Sequence, residues 1–275
     1  VSASVGSLDP LGSEPRAATD LASEARARYG VVVLEADAPL ELLDTDDRLV
    51  VVGKPSGALV VNTAWAGPPE RTVLDRARAA WGAELVPVHR LDRGTSGVLL
   101  LARGGEAAEA WQRALAAEGA DKTYLALVRG ACTARAHVDH ALADERGRVR
   151  PASTDVAPLL TATPSVPTAE ETGSDPRVSW VIARPRTGRT HQVRRHLKHL
   201  GHPILGDAAH GRGQLNRAFA RHHGLDRLAL HAWSITLDDP WTGARRRWVA
   251  PIPTALREVL LRLFPTERLE PEDDA

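Results

Sequence analysis

Sulfur is scarce in this chain, and net charge is absent. Cysteine occurs once, at Cys132, and methionine not at all, so no disulfide can form within the chain. That excludes a disulfide-stapled secreted scaffold and suits a reducing, cytoplasmic setting. No apolar run is long enough to span a membrane and nothing has the shape of a signal peptide, so no membrane partner is expected. Lys plus Arg and Asp plus Glu balance at 35 each, which removes the global basic excess of many nucleic-acid binders and leaves charge distribution to decide. Internal repeats are missing, as are H-E-x-x-H and G-x-x-x-x-G-K-[ST]. Histidines crowd the second half of the chain, but without the acidic or cysteine partners that a metal site needs at fixed spacing, so no metal is expected.

What is present centres on residues 88–101, V-H-R-L-D-R-G-T-S-G-V-L-L-L. Polar residues crowd the first half and aliphatics fill the second, which predicts a tight loop feeding a buried strand. Asp92 is the only carboxylate of the loop, with Arg90 and Arg93 beside it. A nearby cation favours the charged form, which makes a carboxylate a poor general acid or base but a competent nucleophile or charge anchor. On these residues alone, a salt-bridged structural turn is the alternative.

The stretch Gly188–Leu200 predicts a helix with Val193, Leu197 and Leu200 as its buried stripe and Gly201 as its stop. Arg189 and Thr190 then stand at its N-terminus, where free N–H groups attract phosphate, and Arg194, Arg195 and Lys198 stand off the stripe. From Arg177 to Arg221 there are nine arginines and Lys198 against Asp207 alone, about +9 by sign counting. Such a local field suits a phosphate backbone.

Elsewhere the patterns predict strands at 49–52, 58–61, 122–128, 137–142, 178–183 and 227–237. Helices are expected after Thr72, at 106–117 and at 253–264, with a turn at 239–243. Residues 143–176, charged and then rich in Pro, Thr and Ser, read as a loop or insertion. The expected organisation is a weakly ordered extension over 1–38, one catalytic domain over 39–265 and a frayed acidic tail over 266–275.

The motif H-R-L-D-x-x-T-S-G followed by aliphatics resembles the active-site signature of the RluA-type pseudouridine synthases. Lys54-Pro55-Ser56-Gly57 resembles the family's K-P-x-G, and Lys122–Val128 resembles K-x-Y-x-A-x-V. G-R-T-H-Q-V-R-R-H-L from Gly188 and G-H-P-I-L-G-D from Gly201 complete the set, in family order over roughly residues 40 to 250. Val61 departs from the histidine usual there. The resemblance implies an α+β fold, two subdomains with mixed, largely antiparallel sheets around a central cleft. It implies isomerisation of uridine to pseudouridine, with Asp92 as nucleophile, Arg194 as its ion-pair partner and Tyr124 as the residue that stacks on the base and can take the C5 proton. Arg90 would fill the space left by the flipped base and contact phosphate, Lys54 and Arg189 would hold phosphate or shape the pocket, and Arg195 and Lys198, from the basic segment, would meet RNA. The reaction needs no redox step, group donor or metal, so no cofactor is implied. The partner would be RNA, and the protein a monomer. The segment after Gly206-Asp207 resembles the tRNA pseudouridine synthase C type, which acts at uridine 65, while a 23S rRNA target stays open. Two other classes compete. A retaining glycosidase needs a second carboxylate about 5–5.5 Å away, and the loop offers none. A non-catalytic RNA-binding protein would not need Asp92.

Overall fold

The computed structural model describes residues 38–62, 70–166, 169–172, 176–211 and 213–271. Almost all of the expected extension over 1–38 lies outside them, as does the end of the acidic tail. The described chain begins with β1 (Glu41–Thr45) and β2 (Leu49–Lys54), then α1 (Val73–Trp81), β3 (Leu85–Pro87), β4 (Ser96–Arg103), α2 (Gly105–Ala116) and β5 (Asp121–Arg129). There follow β6 (Ala136–Asp139), a small hairpin of β7 (Leu142–Ala143) and β8 (Val149–Arg150), the long β9 (Ser153–Ala162), one helical turn at Ala169–Thr172 and β10 (Val178–Pro185). The last elements are α3 (Gln192–His199), α4 (Gly213–His223), β11 (Leu230–Asp238), β12 (Arg245–Val249) and α5 (Thr254–Leu263). Ten strands form one continuous sheet in the order β1-β2-β4-β11-β5-β10-β9-β6, with β3 added on β4 and β12 on β11. The fold is thus α+β with a large mixed, mostly antiparallel sheet, as the resemblance implies.

The aliphatic runs are explained by burial on both faces. Leu49, Val51 and Leu100 pack toward Trp111 of α2, while Val50, Val52, Leu99 and Leu101 pack toward Val73, Leu74 and Ala77 of α1. Each fully buried aliphatic contributes about 1.5–3 kcal/mol. A capping box starts α1: the Thr72 side chain accepts from the Asp75 N–H and the Asp75 carboxylate accepts from the Thr72 N–H. The other half of the sheet, β5, β10 and β11, packs against α3, α4 and α5, where Leu256, Val259, Leu260 and Leu263 face inward as their spacing predicts.

The two halves meet at β11–β4, the only parallel pairing among the described strands, two residues long: His231 opposite Ser96 and Ala232 opposite Gly97. Gly97 has φ +121, and a Cβ there would stand 2.1 Å from the Ala232 carbonyl, so the T-S-G motif ends in glycine because β11 passes too close for any other residue. A buried chain of hydrogen bonds locks the seam. Arg227 donates to Ser96 Oγ at 2.6 Å, Ser96 lies 2.8 Å from His231 Nδ1, and His231 Nε2 lies 3.0 Å from the Ala250 carbonyl. The carbonyl can only accept, so His231 carries its proton on Nε2 and accepts from Ser96. Burial pushes His231 from 6.5 down to about 4. Between these pH values the unfolded chain binds the extra proton, so stability is complete above about pH 6.5 and falls as pH drops toward 4. The loss from this ring is on the order of 3 kcal/mol. Urea midpoints measured from pH 7 to 4 should fall accordingly, and His231→Gln should flatten the slope.

Four expectations give way. Residues 58–61 are not a strand, because the Leu59 and Val60 carbonyls accept from the Val73 and Leu74 N–H groups at the start of α1 instead of from a ladder. Residues 143–176 are not one loop, since β9 occupies ten of them and pairs with both β10 and β6. Pro158 sits where the β9–β10 register shifts, which is how the strand tolerates it. Residues 227–229 precede β11 rather than belong to it, because Arg227 turns in to Ser96. Finally, the tail is docked at its start: Leu269 is buried and its carbonyl accepts from Trp180 Nε1 at 2.7 Å.

Candidate active site

The loop before β4 and the turn before α3 face each other across a cleft of about 1180 Å³, lined among others by Arg90, Asp92, Tyr124, Arg189, His191 and Arg194. Asp92 and Arg194, 102 residues apart, meet there: Arg194 Nη1 donates to Asp92 Oδ2 at 2.9 Å. The rest of the guanidinium fork is taken by Asp207, with Nε to Oδ2 at 2.8 Å and Nη2 to Oδ1 at 2.9 Å. The bidentate pair fixes the guanidinium plane and so the direction in which Nη1 points. Exposure grades outward, from 0% for the Asp207 side chain through 11% for Arg194 to 27% for Asp92. The carboxylate nearest the cleft is therefore the reachable one. Burial alone would raise the Asp207 carboxyl, but Arg194 and the N–H groups of His210 and Ala209 hold it below the usual carboxylate range. Arg194 is likewise drawn above its ordinary value by its two carboxylates, against the effect of burial.

The motifs assign Asp207 no role, and one signal points to it: it is the lone acid in the basic segment 177–221. The expectation that Arg194 stays off the buried face of α3 is also corrected. Arg194 is buried, because two carboxylates replace its water. Gly206 lets the chain reach this point; a Cβ there would stand 1.8 Å from the Arg227 carbonyl.

The helix α3 starts at Gln192, three residues later than Arg189, and its N-cap His191 is left-handed at φ 54. Gln192 is the second residue missed. It is buried and uses its whole amide: Oε1 accepts from Thr187 Oγ1 and the Arg189 N–H, and Nε2 donates to the Ser153 carbonyl and Thr154 Oγ1. The turn that carries Arg189 to His191 is thereby pinned to β9. Nothing local in the sequence could reveal partners 38 and 39 residues away.

Tyr124, on β5, lines the cleft, and burial together with the negative charge of Asp92 pushes its phenol up, so it keeps its proton. His89 also lines the cleft; its Nε2 accepts from the Leu100 N–H at 3.2 Å, and burial pushes it down to about 4. It is a neutral pin for the loop rather than an acid or base near neutrality. Arg90 and Arg189 stand exposed at the cleft wall, with Arg189 Nε donating to the Pro151 carbonyl at 3.1 Å.

Three expected RNA contacts lie elsewhere. Lys54 is buried below the loop, and its ammonium donates to the carbonyls of Pro55, Ala58 and Arg93 at 2.9, 2.6 and 3.1 Å. A group so enclosed positions the Asp92 loop and is withdrawn from phosphate. Lys54→Met should cost about 2 kcal/mol or more in urea unfolding, with the salt dependence of RNA binding unchanged. Arg195 Nη1 donates to the Ala143 carbonyl at 2.9 Å, tying α3 to the β7–β8 hairpin, and Lys198 is exposed outside the cleft lining. Much of the basic segment is compensated by acids from other elements, including Arg186 by Asp155 at 2.7 Å, Arg184 by Asp121 at 3.9 Å and Arg221 by Glu171 at 3.9 Å. The field at the cleft is therefore weaker than the count of charges implies. Among the described residues, no group of three or more His, Cys, Asp or Glu could hold a metal ion, and no helix is long and apolar enough to cross a membrane.

Comparison with known proteins agrees with this site. The family described as RNA pseudouridylate synthase matches residues 48–199, from the start of β2 to the end of α3. The tRNA pseudouridine synthase C of Yersinia pestis is 38% identical over 226 residues, covering 77% of this chain and 88% of that protein. The tRNA pseudouridine synthase C of Pectobacterium carotovorum subsp. carotovorum is also 38% identical, over 228 residues, and there the match spans 77% of this chain but 60% of the longer relative. Among solved structures, human RNA pseudouridylate synthase domain containing 1 superposes with a TM-score of 0.61 at 26% identity, over 81% of this chain and 86% of that one. The cleft, the motifs that line it and these likenesses agree: the chain belongs to the RNA pseudouridylate synthase family.

Proposed function

We propose that this chain converts one uridine of tRNA, at position 65, to pseudouridine, with Asp92 as the nucleophile. The observation that carries the reading is the ion pair between Asp92 and Arg194, which leaves a charged, reachable oxygen at the wall of a cleft wide enough for a nucleotide. The reaction breaks the N1–C1′ bond, makes a C5–C1′ bond, releases the C5 proton and returns a proton to N1. Whether Asp92 attacks C1′ or adds to C6, the same oxygen serves. A base inside a helix cannot reach it, so the uridine must leave its stack, at a cost of a few kcal/mol. Arg90, exposed beside Asp92, then occupies the vacated space, and Arg189 meets phosphate. Tyr124 offers its ring to the base.

The target comes from the relatives named tRNA pseudouridine synthase C and from the H-G-x-G-x-x-N-R segment after Asp207. Action as a monomer is part of this proposal. The test is incubation of the protein with tRNA and 23S rRNA transcripts, followed by mapping of pseudouridine. One new pseudouridine in tRNA at position 65 is expected. Modification of the ribosomal transcript instead would reassign the target, and binding of either RNA without product would leave an RNA-binding protein.

A further inference from the structure

Asp207, which clamps Arg194, is itself set from outside the cleft. The segment H-G-x-G-x-x-N-R that follows it runs into α4, and three of its residues converge on Asp207. The His210 N–H donates to Asp207 Oδ1 at 2.8 Å, and the Gly211 N–H donates to the Asp207 carbonyl at 3.0 Å. Asn216, half-buried on α4, brackets the residue: its Oδ1 accepts from the Gly206 N–H and its Nδ2 donates to the Asp207 carbonyl, each at 3.0 Å. We propose that Asn216 is a positioning residue for the reaction, aiming Arg194 through Asp207 at the oxygen of Asp92. The inference rests on the reading that Asp92 attacks uridine.

The bracket calls for an amide. Gly206 offers a donor and Asp207 an acceptor, and one short side chain answers both. An aspartate in its place would lack the donor, and a leucine would lack both groups. Gly211 is glycine because the same space is full: a Cβ there would stand 2.4 Å from the Asp207 carbonyl and 3.2 Å from Asn216 Nδ2. The Asp207 N–H adds little, at 3.4 Å from the Ile204 carbonyl, so the turn leans on Asn216. The helix behind it is anchored independently. Leu215, Ala218 and Phe219 are buried, Gln214 Nε2 donates to the Glu171 carbonyl at 2.8 Å, and Arg262 Nη1 donates to the His223 carbonyl at 2.8 Å.

Arg194 passes the position on. Its Nε and Nη2 bond both Asp207 oxygens, so the guanidinium follows any shift of that carboxylate, and Nη1 moves with it. From its 2.9 Å contact, a shift of about 1 Å takes Nη1 out of hydrogen-bond range of Asp92. A misplacement of about 1 Å at a reacting group costs about 10²-fold in rate. Asn216 does not line the cleft, so its effect falls on the rate and not on the binding of RNA.

Full-length Asn216→Ala tests the role, with Val259→Ala in the buried face of α5 as the control for lost stability. Both are assayed at a temperature where circular dichroism shows them folded. Asn216→Ala should lower kcat on a tRNA transcript about 10- to 10²-fold and leave KM within about two-fold, while Val259→Ala keeps the wild-type kcat. NMR reads the clamp without substrate. The Arg194 Nε–H signal, identified by its loss in Arg194→Lys, should exchange with water about ten-fold faster in Asn216→Ala and at the wild-type rate in Val259→Ala. A wild-type kcat in Asn216→Ala, a fall matched by Val259→Ala, a change carried by KM alone or an unmoved Arg194 signal would overturn the role. A wild-type protein that makes no pseudouridine would instead overturn the isomerase reading, and this role with it.

Discussion

Asp92→Asn should lower pseudouridine formation by about 10⁴-fold or more while the protein still folds and still binds RNA. The amide has the shape of the acid but no anionic oxygen to attack carbon. Arg194 keeps its bidentate bonds to Asp207, so the loss of one ion pair does not release the guanidinium. The side chain of Asp92 is 27% exposed, and its pair with Arg194 is worth far less to stability than the buried pair behind it. The melting temperature should therefore move little, and filter binding to tRNA should stay within a few-fold. Product formation is read by mapping or by tritium release. Undiminished product with the amide would remove the nucleophile, and with it the proposed mechanism; loss of binding in step with product would mean that Asp92 shapes the RNA site instead.

Much of this was legible in the chain because it rests on short-range pattern. The aliphatic runs of β2 and β4 read as buried strands because both of their faces are covered, and Thr72 with Asp75 announces a helix start within four residues. The juxtaposition of Asp92 with Arg194 came from resemblance and could not be read from spacing. What stayed hidden depends on distant partners. The strand β9 looks like a loop by composition, yet Thr154 and Val156 face inward because β6 and β10 flank them. The late start of α3 follows from Gln192 turning back to Thr187, Ser153 and Thr154 instead of extending the helix. The K-P-x-G resemblance leaves Lys54 as a phosphate holder or a shaper of the pocket, and only the three carbonyls gathered by the Pro55–Gly57 turn and the Asp92 loop reveal it as a clamp. Charge type was legible; whether a charge faces solvent or another charge was not.

Replacing Arg194 should have the largest effect on stability, and the reason lies behind the cleft. Arg194→Leu strands Asp207, whose side chain is 0% exposed, without its counter-charge. Breaking a buried pair by removing one partner costs about 3–5 kcal/mol. Two N–H groups, from Ala209 and His210, still bond Asp207 Oδ1, which tempers the loss without neutralising the charge. Lysine is no substitute, because one ammonium cannot span Asp207 bidentately and Asp92 at once. Arg194→Lys should therefore fall between wild type and Arg194→Leu in urea unfolding and be severely impaired in catalysis. The double variant Arg194→Leu/Asp207→Leu separates the two roles. Removing both buried charges should recover most of the lost stability, since apolar replacements of buried pairs are often neutral. Asp92 would then face the cleft with no guanidinium beside it, and isomerisation should stay at the level of Arg194→Leu. Recovery of activity together with stability would show that Arg194 serves the fold alone, whereas a stable, inactive double variant would assign it to both the fold and the carboxylate it aims at.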